Sequence, residues 1–243
     1  EKLMEFKQAV EYRRAVRDYD SNRPLDPTLV IDCLKLAQLS PSSSNMQLYE
    51  FYHITNPDML KKLTKACLSQ QAAASASQMV VFVTRQDLYR QRAKSALLFE
   101  RHNIKTYSPP KRQGARIQRM QKYYGVLMPT IYRTTFGVPS LRSAAFLAIQ
   151  KFKPTYDRVS VADVRIMVHK SCALAAQTFM LAMSAAGADT CPMEGFDSKL
   201  VKNLLNLPKE AEVNMIISCG YRTEKGVWGE RFRVPFDEVY RQI

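Results

Sequence analysis

The chain has 243 residues, 46% hydrophobic and 24% charged; this fits a folded domain with an apolar core and excludes a disordered chain, a collagen-like repeat or a disulfide miniprotein. Lysine and arginine total 36 against 22 acidic residues, and the net charge of +14 favours an anionic partner: nucleic acid, a membrane surface or a phosphorylated small molecule. Glycine is scarce at 8 residues and neither GxGxxG nor GxxxxGK[ST] occurs, which argues against a Rossmann-type or P-loop nucleotide site.

In chain order, residues 2–18 read as a helix with Leu3, Phe6 and Val10 on one face. Pro27 opens a second helix, whose Leu29, Val30, Cys33, Leu34 and Ala37 face a core and which must stop before Pro41. Residues 48–55 are aromatic-rich and read as a strand, and 79–84 (MVVFVT) as a buried central strand. Between 85 and 165 the composition shifts to 17 Lys and Arg against 4 acids. That segment reads as helices broken at Pro109–Pro110 and around Pro129 and Pro139, a basic helical insertion or cap within a single domain, 1–243.

Residues 162–186 read as one long helix, in which Gln177, Thr178 and Ser184 are the polar residues after Cys172. Such a helix is buried in a core or a subunit interface. As a membrane span it is short of the ~20 apolar residues needed, with Arg165, His169 and Lys170 close by. Gly187 supplies a C-cap, Asp197 caps a helix running to Leu205, and 213–219 is a second buried strand. Strands separated by helices predict an α+β (α/β) sandwich, a small mixed sheet flanked by helices on both faces.

Cysteines stand at 33, 67, 172, 191 and 219 without a CxxC, as buried thiols in a reducing compartment would. With no export signal at the start, the expected location is cytoplasmic. The histidines, 53, 102 and 169, form no HExxH, so no metal site is expected.

Four short segments could carry chemistry. Arg13, Arg14 and Arg17 flank Ala15 at the end of the first helix; their forked guanidiniums could hold a phosphate or a ring oxygen, or simply decorate a basic helix end. Pro41, Ser42, Ser43 and Asn45 lie in SPSSSNMQ, a polar loop suited to a closely approached ligand or to stopping a helix. Pro192, Met193, Glu194 and Gly195 lie in CPMEGF: a rigid apolar wall followed by amides that Gly195 leaves accessible, or an ordinary turn. Arg231 and Arg233 alternate in GERFRVP, which in extended backbone puts both on one face, a fit to one phosphate or a basic edge strand.

RRAVRDYD, SPSSSNMQLYEF, CPMEGFD and ERFRVP, in that order, resemble the FMN-dependent nitroreductase family. The resemblance covers 10–84 and 165–240; 85–165 matches in being helical. It implies a nitroreductase-like fold and a non-covalent FMN. Arg13, Arg231 and Arg233 would hold the phosphate, with Arg14 in the same cofactor site and Arg17 near the N1/O2 edge of the ring. Ala15 stands where the family usually has Ser. Pro41, Ser42, Ser43 and Asn45 would reach the flavin of the other subunit of a homodimer. Pro192 would pack on the ring beside Met193, and the amides of Glu194 and Gly195 would face N5 and O4. Gln71 is the nearest candidate for a further ring contact. The implied activity is hydride transfer from NADPH or NADH through flavin N5 to a nitroaromatic, quinone or flavin, in alternating (ping-pong) half-reactions, with no catalytic side chain.

Two other readings compete. An enone or halogenated aromatic could be the acceptor on the same fold. The 17 basic and 10 aromatic residues of 85–165 could instead bind nucleic acid, but their dispersal along the segment disfavours it. Arg112, Arg116 and Arg119 share one helix face and could grip the 2′-phosphate of NADPH.

Overall fold

The computed structural model describes residues 4–133, 158 and 160–243. Helix α1 (Phe6–Tyr12) is less than half the expected length, because Arg13 turns to extended backbone (φ −58°, ψ 121°). Residues 13–20 then run extended. Their backbone finds partners outside the segment: Val16 N–H donates to Thr190 O (3.1 Å) and Asp20 N–H to Tyr221 O (2.8 Å). Tyr19 anchors the run, with its hydroxyl donating to Ser218 O (3.0 Å). Its side chain packs against Gly220, where a Cβ would stand 2.7 Å from Tyr19 Cδ1.

Helix α2 (Pro27–Gln38) starts as its sequence directs, with Asp26 accepting from Thr28 N–H (2.8 Å) and Pro27 in the first turn. Strand β1 (Tyr49–Ile54) follows, then α3 (Pro57–Ala66), capped by Asn56, the single turn α4 (Gln71–Ala74) and β2 (Gln78–Thr84). The basic segment supplies α5 (Tyr89–Tyr107), α6 (Pro110–Lys122), a π-turn (Tyr123–Leu127) and α7 (Met128–Tyr132). The expected break at Pro109–Pro110 is present. The one around Pro129 is not: the helix widens there, with Met128 N–H bonding back to Tyr123 O, and Pro129, which has no N–H to place, sits in the first turn of α7. Pro139 lies outside the described residues.

Helix α8 (Val161–Ala185) has a reciprocal cap, Ser160 Oγ accepting from Asp163 N–H (3.1 Å) and Asp163 accepting from Ser160 N–H (3.3 Å). Gly187, at φ +74°, ends the helix signal in left-handed backbone. Strand β3 (Asp189–Met193), α9 (Ser198–Leu204), β4 (Glu212–Gly220) and the turn α10 (Phe236–Val239) complete the described chain. Asp197 caps α9 through Leu200 N–H (2.9 Å), as expected.

The sheet order is β1-β2-β4-β3. The sandwich is as expected, but the pairing within the sheet is antiparallel at all three ladders rather than mixed. Among the described residues, parallel pairing is limited to an isolated bridge between Ala15 and Thr190. Strand β3 has no counterpart among the expected elements. Its Pro192 hides it, yet β3 is an edge strand, where a missing N–H costs no ladder bond on the outer side.

Strand β2 is buried along its whole length. Val80 and Phe82 pack with Phe179, Met183 and Ala175 of α8 and with Val30 of α2. Met79, Val81 and Val83 face the other way, onto Leu63 of α3 and Val201 of α9. A strand covered on both faces reads as an unbroken apolar run, which is what MVVFVT is. A third cluster joins Tyr124, Met128 and Tyr132 of the basic segment to Met46, Leu48 and Val168. By length and composition α8 could cross a membrane, but its Cys172, Ala175 and Phe179 stripe is buried against the sheet. All five cysteines are free and buried.

Candidate active site

The extended segment 13–20 is held between β3 and the turn after β4. Arg17 N–H donates to Gly226 O (2.7 Å) and Thr223 N–H to Asp18 O (3.2 Å). Gly226 is required here, since a Cβ would stand 2.6 Å from Asp18 O. The Asp18 carboxylate accepts from Gln71 Nε2 (2.8 Å) and Thr223 Oγ1 (2.7 Å), and these bonds hold it below the usual carboxylate range. Beneath lies an ion pair: Arg222 donates through Nε to the buried Asp189 (2.8 Å) and through Nη2 to Tyr12 O (3.1 Å).

This frame gathers guanidiniums. Arg13, Arg14 and Arg17 come from the extended segment, and Arg231 and Arg233 from the tail beyond β4; together they line a cleft of about 290 Å³. The two segments are stitched reciprocally. Arg14 Nη2 donates to Gly229 O (2.8 Å), and Arg231 Nη2 donates to Glu11 O (2.8 Å) and Arg13 O (2.5 Å), satisfying carbonyls left over at the end of α1. Arg17 stacks over Trp228, 5.1 Å from the ring centre. Arg233 reaches no further than Phe232 O (2.6 Å) among these contacts and points its charge outward. Burial, and then Arg231, Arg233 and Arg14, disfavour the charged form of Arg13. Among the described residues, Glu230 is the one carboxylate lining the cleft. Crowded cations of this kind are relieved by a polyvalent anion.

Strand β3 runs alongside. The parallel bridge aligns Ala15 with Thr190, so the chain toward Arg17 and the chain toward Pro192 advance together. Pro192 is half-buried, Met193 buried, and Glu194 and Gly195 exposed. Buried Cys191 lies within the field of Arg17 and Arg13; burial raises its thiol and the two cations oppose that rise. Gln70 is the amide that meets this loop, donating from Nε2 to Gly195 O (2.7 Å). Gln71, singled out from the sequence, donates to Asp18 instead.

The seryl turn lies elsewhere. None of Pro41, Ser42, Ser43 or Asn45 lines the arginine cleft of its own chain. Ser43 N–H donates to Ser171 Oγ of α8 (3.2 Å), and Tyr124 donates to Ser44 O (2.9 Å). Ser42 Oγ accepts from Gln47 N–H (3.1 Å). Ser44, Asn45 and Gln47 all have left-handed backbone, with φ from 49° to 51°, so the turn holds a shape that its residues adopt at a cost. Pro41 and Asn45 are exposed.

Sequence reasoning missed Trp228, Gln70 and the Asp189–Arg222 pair. Trp228 carried a usable signal: it is the single tryptophan of the chain, set between Gly226 and Gly229. The ion pair carried none, its partners being 33 positions apart.

The chain matches the Nitroreductase family over residues 10–221. It is 25% identical over 236 residues to Bacillus subtilis MhqN, named among the NAD(P)H nitroreductases, covering 97% of this chain and 98% of that one. Its identity to DrgA of Synechocystis is 23% over 229 residues, with 93% and 89% covered. Among solved structures, the B. subtilis nitroreductase ydfN superposes with a TM-score of 0.73 at 23% identity over 98% of each chain. An Exiguobacterium sibiricum nitroreductase in complex with FMN gives 0.69 at 18% identity, over 100% and 99%. A match that runs from the arginine segment to the end of β4, on a shared fold, means that this chain belongs to the nitroreductase family.

Proposed function

We propose that the protein is an FMN-dependent NAD(P)H oxidoreductase that reduces a small aromatic acceptor, a nitro compound or a quinone. The observation that carries the reading is the convergence of five arginines on one cleft beside the end of β3. The donor set fits FMN: Arg13, Arg14, Arg231 and Arg233 suit its phosphate, and Arg17, braced on Trp228, suits the electron-rich edge of its ring. When bound, FMN supplies the redox chemistry, taking hydride from the nicotinamide and passing it to the acceptor in alternating half-reactions.

The residues supply position and charge. Pro192 gives a rigid wall, and the exposed amides of Glu194 and Gly195 can donate to ring heteroatoms. Gln70 holds the carbonyl of Gly195, which fixes the loop that carries those amides. Arg17 stabilises negative charge that develops on reduction, and no side chain needs to act as a nucleophile. The seryl turn of Pro41, Ser42, Ser43 and Asn45 serves the cleft of a second copy, which makes the working unit a homodimer. Its separation from the cleft of its own chain supports this.

The test is uptake and spectrum. Protein refolded with FMN and desalted should retain about one flavin per chain and absorb in the visible. A colourless protein that takes up no FMN overturns the reading, and an acceptor screen under NADPH then separates nitroaromatic, quinone and enone substrates.

A further inference from the structure

Residues 89–122 carry ten lysines and arginines against the single acid Glu100. Dispersed along the chain, these cations are sorted by the helices that carry them. Helix α5 is anchored through Ala93, Ala96 and Leu97, which pack with Tyr124 and Met128, and through buried Ile104. Arg90, Lys94, Arg101 and Lys105 are all exposed. Their spacing, i, i+4, i+11 and i+15, confines them to an arc of about 60° on the helix, in a row about 22 Å long. Glu100 is half-buried, on the side of α5 where its charge acts on Tyr124, so it lies off the row. Helix α6 packs back beside α5. Gln113 Nε2 fixes the turn between them, donating to Lys105 O (3.1 Å) and Ser108 O (2.9 Å). Lys111 and Lys122 of α6, eleven positions apart, add an exposed pair on one face.

An apolar side chain shares the α5 row. Leu98 stands about 40° around the helix from Lys94 and is 59% exposed. The exposed aromatics of α5, Phe99 and Tyr107, lie off the row. Long cationic side chains around an exposed leucine suit the headgroup region of a negatively charged bilayer: the cations sit among lipid phosphates and the leucine dips below them. A single-stranded nucleic acid would need aromatic platforms for its bases, and a duplex would set Leu98 against its phosphates for no gain.

We propose that the exposed row of α5, extended by α6, docks the protein peripherally on an anionic lipid surface. Charge complementarity selects the partner, and Leu98 distinguishes a bilayer from a polyanion in solution. This face shares no residue with the arginine cleft, so docking does not depend on FMN.

The test is co-sedimentation of the purified protein with vesicles of phosphatidylcholine alone and of phosphatidylcholine mixed equally with phosphatidylglycerol, at low salt. Binding to the mixed vesicles is expected, with little to the neutral ones and release at high salt. Lys94→Gln with Arg101→Gln should weaken it roughly 30-fold, about fivefold for each cation. Lys61→Gln with Lys62→Gln removes the same charge from exposed positions of α3 and should leave binding unchanged. Leu98→Ser should weaken vesicle binding without altering binding to a DNA duplex. FMN uptake measured on each variant should stay at the wild-type level, so a failure to dock is distinct from a failure to bind flavin. Absence of binding to the mixed vesicles, equal binding to both kinds, or a loss as large in the α3 pair overturns the proposal. So does a DNA duplex that displaces the vesicles through Lys94 and Arg101 while Leu98→Ser has no effect, which would assign the row to nucleic acid.

Discussion

Arg231 and Arg233 look interchangeable in ERFRVP, but their surroundings separate them. Arg231 is spent on the carbonyls of Glu11 and Arg13, whereas among the described residues Arg233 hydrogen-bonds no other segment. Arg233→Ala should therefore lower FMN affinity by roughly 10- to 150-fold with an unchanged melting temperature. Arg231→Ala should lower both affinity and Tm, because α1 and the tail lose their stitch; the stability loss is about 1–3 kcal/mol, a few degrees for a chain this size. Fluorescence titration with FMN and a thermal melt on each variant check this, and equal effects on Tm would refute the division of labour.

Asp18 carries a pH consequence. Its carboxylate is held low by Gln71 and then by Thr223, so the ionised form is preferred in the folded state. A depressed pKa adds stability that is complete above the ordinary carboxylate value of ~3.9 and is lost as pH falls through the lower folded value. Asp18→Asn should thus flatten the acid limb of the stability profile below about pH 4. Denaturant melts across that range measure it, and an acid limb identical to wild type would mean that Asp18 does not contribute.

At the scale of elements, starts and stops written in local chemistry were legible. Asp26–Pro27 opens α2 and Asp197 opens α9 because a short acceptor side chain satisfies first-turn N–H groups wherever it stands. Gly187 closes the α8 signal for an equally local reason. A Cβ there would meet nothing within 4 Å, so Gly187→Ala carries backbone strain alone, about 1 kcal/mol, and Gly187→Asn should recover part of it. Chemical denaturation of the pair reads that difference directly.

What was not legible depends on distant partners. Residues 13–20 carry a helix-like spacing, but Thr190, Ser218 and Gly226 draw them into extended backbone. Strand β3 was hidden by Pro192, and the π-turn replaced a loop that Pro129 appeared to demand. The arginine cleft was legible as two of the four segments, and the seryl and CPMEGF segments stay part of the proposal. Which of the cleft's arginines work as struts, and which of two adjacent glutamines meets Gly195, is decided by tertiary contacts. Helix α6 leaves Arg112, Arg116 and Arg119 exposed, with Arg116 donating to Ser108 Oγ (2.7 Å). If this face grips the 2′-phosphate of NADPH, Arg112→Gln with Arg119→Gln should lower kcat/KM for NADPH several-fold at low salt and leave NADH little changed. A solvated face serving solubility would show no such split.

For the whole molecule, the distance in the fold between the seryl turn and the arginine cleft makes assembly the central expectation. Mixing an Arg233→Ala chain with one carrying Ser43→Trp should create hybrid dimers in which one of two sites is intact, so FMN retention should exceed that of either parent. Light scattering should report two chains per particle, and a stable, flavin-loaded monomer would contradict the shared site.

The five buried thiols acquire meaning at this scale. Burial, and then Asp32, raise Cys33 to about 11; burial alone raises Cys67 to about 11 and Cys172 to about 12, and it raises Cys191 against the pull of Arg17 and Arg13. Thiolate is the form that attacks electrophiles, and at neutral pH these positions hold almost none of it, behind packed walls. Quinones alkylate free thiolates readily. If quinones are the acceptors, as proposed, the catalyst would be inactivated by its own substrates unless its sulfur were out of reach. Here the folded core is itself the protection: incubation with benzoquinone should leave the intact mass of the native protein free of cysteine adducts, and the same reagent should mark up to five sites once the chain is unfolded.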